Sequence, residues 1–149
     1  MQKLGWITVL LGVLALGTAL AQPSSEEGAL FQAVNRERQK AGLSALRWDD
    51  DLATAARQHA SAMAKQRSLA HTLPGEPSLP GRATRAGVHF SWLAENIVVA
   101  EDTDAAHLAF LQSPNHRANM LDSGMDSVGI GMAERGGQVY VVEDFAKVK

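Results

Sequence analysis

The spacing of apolar positions along this chain changes period several times. From Ser24 onward, Leu30, Phe31, Val34, Arg38 and Ala41 recur three or four residues apart, which predicts a helix with one inward face. Ser24 or Ser25 supplies a hydroxyl cap, Glu26 and Glu27 suit the positive end of the helix dipole, and Gly42 supplies a stop. Leu43 to Trp48 reads as a compact connector whose Leu43, Leu46 and Trp48 plug into the core. DDDLATAARQHASAMAKQR, residues 49–67, carries the clearest helical pattern in the chain. An aspartate among Asp49 to Asp51 caps it, Leu52, Ala55, Ala56, His59 and Met63 share one face, and it ends near Arg67. Alanine dominates that face, so a neighbouring element can approach closely.

Periodicity then gives way to HTLPGEPSLPG, residues 71–81, a loop rich in Pro and Gly, followed by a short predicted helix GRATRAG. In FSWLAENIVVA the apolar run Ile97 to Ala100 reads as a buried strand or extended segment. Thr103 or Asp104 is expected to cap a helix that turns Ala106, Phe110 and Leu111 inward. That helix must stop at Ser113, because the residue before a proline avoids the helical region. Ser113 is then expected to cap the next helix, with Pro114 at its first position. The last part alternates with period two: DSVGIGMAE, the turn residues Arg135-Gly136-Gly137, and QVYVVEDF predict a β-hairpin. Gly129 and Gly131 leave one face of the first strand bare, so something bulky is expected there. The partner strand, richer in β-branched residues, is the inner one. Helices around a small antiparallel sheet define an α+β class.

The N-terminus changes the compartment. MQKLGWITVLLGVLALGTALA has a lysine near its start, an apolar run from Trp6 to Leu16 and a small-x-small ending at Ala19-Leu20-Ala21, the marks of a secretory signal peptide whose core is too short for a membrane span. The expected organisation is therefore a signal peptide at 1–21, a short tether at 22–27 and one domain at 28–149. Cleavage after Ala21 leaves 128 of the 149 residues, enough for a single core. A secreted, periplasmic or cell-envelope location follows, with no transmembrane segment after cleavage. Cysteine is absent, so disulfides play no part and packing and hydrogen bonds must hold the fold, unless a metal assists. After loss of Lys3, 13 basic side chains stand against 16 acidic ones; with no basic run, nucleic acid is not an expected partner.

Five histidines carry the candidate chemistry: His59, His71, His89, His107 and His116. His59 lies on an apolar helix face and reads as a core histidine bonded to backbone; His89 and His107 read as surface residues. His71 opens the Pro/Gly loop directly after a helix, where its ring can enter a cleft. His116 sits three residues past the Ser113 cap, where the dipole disfavours imidazolium and keeps the ring neutral. A neutral imidazole binds a metal or accepts a proton. Glu95, flanked by apolar residues in WLAENIVV, needs a cation, several donors or a proton of its own. Taken alone it reads as a structural carboxylate bonded to backbone amides.

NRERQKAGLSALRWDDDLATAARQHASAMA, the "AH" before the Pro/Gly loop, "AENI", "SPNHRANML", "SVGIGMA" and "EDFA", in this order, resemble the bacterial branch of the CAP superfamily, the cysteine-rich secretory protein, antigen 5 and pathogenesis-related-1 family, whose domain is also called SCP. The similarity runs from about Leu30 to Ala146. It implies an α-β-α sandwich with a small central antiparallel sheet, and a cleft lined in well-studied members by two histidines and two glutamates. His71 matches the first histidine and Glu95 the glutamate of the "EN" motif. The chain departs at the other two positions, offering Leu111, Gln112 or Ser113 for the second glutamate and Met125, Asp126 or Ser127 for the second histidine. His116, from the "SPxHR" motif of bacterial members, is the substitute, and Asp126 could add a carboxylate.

The resemblance leads first to a binding module whose cleft (His71, Glu95, His116) holds a divalent metal such as zinc or a small ligand, two histidines and a carboxylate being a zinc set with one position open. A hydrolase is the alternative, with His116 or His71 as general base and Glu95 orienting it. It lacks a cysteine nucleophile, a GxSxG elbow or an HExxH helix, which leaves metal-assisted hydrolysis or proteolysis as its form. Envelope interaction, or lipid or sterol binding as in some relatives, is the third reading.

Overall fold

A computed structural model describes residues 22–149; the expected signal peptide lies outside the described residues. The elements are α1 (Ser25–Lys40), β1 (Arg47–Trp48), α2 (Asp50–Gln66), α3 (Leu79–Ala86), β2 (Phe90–Ala100), α4 (Thr103–Gln112), α5 (Pro114–Met120), β3 (Ser127–Arg135) and β4 (Gln138–Val148). Ser24 and Glu27 form a capping box on α1, and Asp49 Oδ1 accepts from the Leu52 amide to cap α2. Several boundaries differ from expectation. The helix α1 begins inside the expected tether. α3 begins two residues before Gly81, with Pro80 in its first turn. Asp102 rather than Thr103 or Asp104 caps α4, because the chain is extended one residue earlier and Asp102 Oδ1 reaches the Ala105 amide at 2.8 Å. Ser113 stands at the start of α5, but its hydroxyl makes no capping bond.

The four strands run in the order β1-β3-β4-β2. β3 and β4 form the hairpin and β2 pairs antiparallel with β4, so β4 is an inner strand and β2 an edge. The sheet is mixed rather than wholly antiparallel: β1, two residues too short for any periodicity to reveal, pairs parallel with β3. Alternation along β4 sends Val139, Val141 and Phe145 into one layer with Leu30, Val34, Phe110 and Met120 from α1, α4 and α5. Tyr140, Val142 and Ala146 face the other layer, built on α2 and α3. This is an α-β-α sandwich.

The bare face of β3 is covered by backbone rather than by bulky side chains. A Cβ on Gly129 would lie 2.0 Å from the Ala53 nitrogen, and one on Gly131 would lie 2.1 Å from the Arg57 nitrogen. Ala53, Ala55 and Ala56 of α2 are fully buried there. Small residues on both partners let the helix axis come down onto the strand.

Candidate functional site

The site straddles the β2 edge. Neighbouring residues of a strand point to opposite faces, so Glu95 enters the α2/α3 layer while Asn96 enters the layer of α4 and α5. Glu95 is buried, and both of its oxygens are engaged: Oε1 lies 2.8 Å from His71 Nδ1 and Oε2 accepts from Arg82 Nη2. This corrects the expectation that backbone amides satisfy it. Arg82, itself buried on α3, also donates from Nη1 to the carbonyls of His71 at 2.9 Å and Pro77 at 3.1 Å, pinning the Pro/Gly loop. With its Nδ1 held inward and its side chain 61% exposed, His71 presents the rest of its ring to solvent.

Two more ionisable groups sit beneath. His59 is fully buried, but it bonds to a side chain rather than to backbone: Nδ1 is 2.9 Å from Glu76 Oε1, and Nε2 lies 3.9 Å from Glu95 Oε2. Asp144 faces Glu95 across the β2–β4 ladder and is also fully buried. Burial pushes its carboxyl well above the ordinary range; the charge of Glu95 adds to this, and Arg82 pulls the other way.

On the opposite face the partners are amides. Asn96 Nδ2 donates to the His116 carbonyl at 3.0 Å and to Glu143 Oε2 at 3.1 Å. Asn119 Nδ2 donates to Asn96 Oδ1 at 2.9 Å and reaches the Glu95 carbonyl at 3.4 Å. Burial pushes the Glu143 carboxyl up to about 7. The His116 ring stands edge-on to Phe110, with centroids 5.3 Å apart. His116 is held below the ordinary imidazole value, as expected, but burial is the leading cause and the positive charge of His71 the second. Arg38, buried, donates to the carbonyls of Ser44, Met120 and Asp122 at 2.9 Å and of Met125 at 3.4 Å, fastening the turn that follows α5.

Asp126 is committed elsewhere. Its carboxylate takes Lys147 Nζ at 2.9 Å and both the Val148 amide and the Ser127 hydroxyl at 3.1 Å, clipping the end of β4; none of these bonds involves His71, Glu95 or His116. His89 is exposed as expected, whereas His107 is half-buried between α1 and α4 and lines a small cavity with Leu30 and Ala33. Among the described residues, no group of three or more His, Cys, Asp and Glu side chains is arranged to hold a metal ion. Glu95, with a guanidinium on one oxygen and an imidazole on the other, does not fit as a direct ligand. Glu95 stands behind His71 as carboxylates stand behind metal-binding histidines.

Arg82, Asp144, Glu76, Asn96 and Asn119 were absent from the sequence-based site. The acids of VVEDF could have been found, since any charge on an inner strand is buried. Arg82 carries no comparable signal, because its partners, 5, 11 and 13 residues away, meet it only in the folded chain. A cavity of about 590 Å³ lies along α1 between Phe31, Asn35 and Leu43, away from all of this chemistry. One of about 320 Å³ between α2 and α3 touches the cluster through Glu76 and Arg82.

The model of the cysteine-rich secretory protein family, CAP, matches residues 31–145. The uncharacterized protein YkwD of Bacillus subtilis is 28% identical over 120 residues, which cover 80% of this chain and 47% of that protein. An extracellular SCP-domain protein of Bacillus anthracis, solved by crystallography, superposes with a TM-score of 0.77 at 27% identity, covering 82% of this chain and 40% of the other. An outer surface protein of Borrelia burgdorferi also gives 0.77, at 22% identity over 83% of this chain and 93% of its own, a likeness of fold alone. The chain spans less than half the length of the two Bacillus proteins. No helix among the described residues is long and apolar enough to cross a membrane.

Proposed function

The chain belongs to the cysteine-rich secretory protein family, and from that premise we propose that it is an exported or envelope-located binding module. Its ligand site is the β2-edge cleft, where the imidazoles of His71 and His116 take a divalent cation such as zinc or a small ligand. The observation that carries this reading is the Arg82–Glu95–His71 chain, which spends both carboxylate oxygens on presenting one imidazole toward solvent. The depressed affinity of His116 for a proton supplies a second neutral imidazole. A bound cation would supply an electrophile with positions left over for water or a ligand. The residues themselves orient the ring, exclude competing protons and limit the site to two nitrogen donors.

A second reading, hydrolysis, is favoured by the same pair: a histidine backed by a buried carboxylate has the form of an oriented general base.

Titration with zinc tests the first reading. At a hundredfold excess over Kd a single site stabilises by about 2.7 kcal/mol, a rise of several degrees in Tm for a domain of this size. Both His71→Ala and His116→Ala should abolish the rise. Absence of any shift with zinc, cobalt, nickel or manganese removes the metal reading; turnover of a peptide substrate that survives both substitutions removes the hydrolytic one.

A further inference from the structure

We infer that the ligand of the β2-edge cleft is an extended peptide, which docks by adding a strand to β2 through the outward backbone groups of Leu93, Glu95, Ile97 and Val99. The inference rests on the reading of that edge as a ligand site and names the class of ligand. Which way each backbone group of β2 points follows from the far end of the sheet. Gly136 and Gly137 join β3 to β4 with φ of 61° and 75°, the type I′ turn of a two-residue hairpin. Such a turn is closed by a hydrogen-bonded pair, here Arg135 and Gln138. Bonded and non-bonded pairs alternate along an antiparallel ladder. Val139, Val141, Glu143 and Phe145 of β4 therefore bond away from β3, to Ala100, Val98, Asn96 and Ala94 of β2. The residues between, Leu93, Glu95, Ile97 and Val99, turn their N–H and C=O groups out of the sheet. Among the described residues one bond reaches these groups, from Asn119 Nδ2 to the Glu95 carbonyl at 3.4 Å.

Donors and acceptors two residues apart on a strand recur about every 6.8 Å. Another extended backbone meets that spacing along its whole length; a compact ligand meets it once. The side chains of an added strand would alternate between the two layers. On the α2/α3 side they meet His71, 61% exposed beside Glu95. On the α4/α5 side they meet the helix turn of His116, tied to Asn96, and Trp92, which shares the face of Asn96 and is 62% exposed. Backbone bonding then supplies affinity and the two faces choose side chains. The edge is shaped against a second copy of this sheet. A bulge between Phe90 and Trp92 bends one end of it, and Glu95 points a carboxylate inward from its middle, both of which oppose flat pairing of sheet to sheet. A single segment, free to follow the twist of the strand it joins, meets neither obstacle.

The test takes its probe from a phage library of linear seven-residue peptides, long enough for Leu93 to Val99, panned on the protein with and without zinc. Amide hydrogen exchange gives the first readout. In the free protein the amides of Glu95, Ile97 and Val99 should exchange quickly and those of Ala94, Asn96 and Val98 slowly. At saturation with a selected peptide, Glu95 and Ile97 should slow at least about tenfold while Ala94, Asn96 and Val98 change little, a period of two that side-chain binding alone does not give. The second readout needs no protein variant. N-methylation of alternate residues of the peptide should cost about fivefold in affinity for each bond blocked in one register and little in the other. A library that yields no peptide protecting these amides, N-methylation that is indifferent to register, or slow exchange at Glu95 and Ile97 in the free protein overturns the inference. Protection that grows with protein concentration in the absence of peptide also overturns it, since the occupant is then a second copy. A zinc-induced rise in Tm lost in His71→Ala and His116→Ala, with no peptide protecting the edge, keeps the cation reading and ends this one. Peptide protection in a protein that responds to no divalent cation upholds this inference and ends the cation reading.

Discussion

His71 and His116 reach one sheet edge from opposite layers, and the two layers hold them by different physics. On the α2/α3 side the holding groups are ionisable side chains, Arg82, Glu95, His59 and Glu76, each in contact with the next. The same layer is seated on the sheet by helix backbone against strand glycines. On the α4/α5 side the holding groups are the amides of Asn96 and Asn119, backed by large apolar side chains. The charged side sets the direction of a ring, at the risk that losing one partner strands another buried charge. The neutral side sets only where a short helix lies, and does so with bonds indifferent to salt.

The largest effect should come from adding one methyl group to the close-packed side. Gly131→Ala puts a Cβ about 2 Å from the α2 backbone, which no rotamer can relieve. Loss of the folded state, or a cost above about 4 kcal/mol, is expected. Ile130→Val, the adjacent residue on the opposite face, removes a methyl from side-chain packing and should cost only about 1 kcal/mol. Urea unfolding of the two variants checks the pair. Similar costs would mean that the two faces are packed alike.

Glu143 sharpens the contrast by bringing charge to the neutral side. Its folded carboxyl titrates near 7 against an ordinary 4.5, so the folded protein binds this proton more tightly than the unfolded chain does. Its destabilising contribution is therefore absent below pH 4.5, grows as pH rises from 4.5 to 7, and is complete above 7. A displacement of that size corresponds to about 3 kcal/mol. Glu143→Gln should thus gain about 3 kcal/mol relative to wild type between pH 4.5 and pH 8, read as the pH-dependent difference in denaturant unfolding. A pH-independent difference would show that Glu143 is no more burdened than a surface acid.

The same contrast explains what could be read from the residues alone. Helices α1 and α2 and the β3–β4 hairpin were legible because each shows its own period and end signals. His71, Glu95 and His116 were legible as candidates because a loop histidine, a carboxylate among apolar residues and a histidine in a helix's first turn are each unusual locally. The glycines of β3 advertised a covered face but not what covered it, because a Cβ-free strand accepts a helix backbone as readily as a large side chain. The charged support of His71 was hidden, since Arg82, Glu95 and Asp144 meet only through tertiary folding. Asp126 was a candidate because its carboxylate lies close in sequence to the missing histidine, whereas its donors Lys147 and Val148 come from the end of another strand and carry no local signal.

The smallest effect, and the most discriminating, belongs to Asn119. Its side chain makes one bond of 2.9 Å to Asn96 and a longer one to the Glu95 carbonyl. Met120 is the fully buried residue of α5, so these bonds do much to seat the helix that carries His116. Asn119→Ala should cost about 1–2 kcal/mol, the range for a neutral hydrogen bond plus an acceptor left unpaired. The cost should be the same at low and high salt, because no full charge is involved, and amide exchange along α5 should quicken. Asn119→Asp is close in shape but turns an acceptor toward two acceptors, so it should cost more than alanine does. If salt erased the Asn119→Ala penalty, or aspartate were tolerated better than alanine, the His116 side would be electrostatic after all and the two layers would differ only in degree.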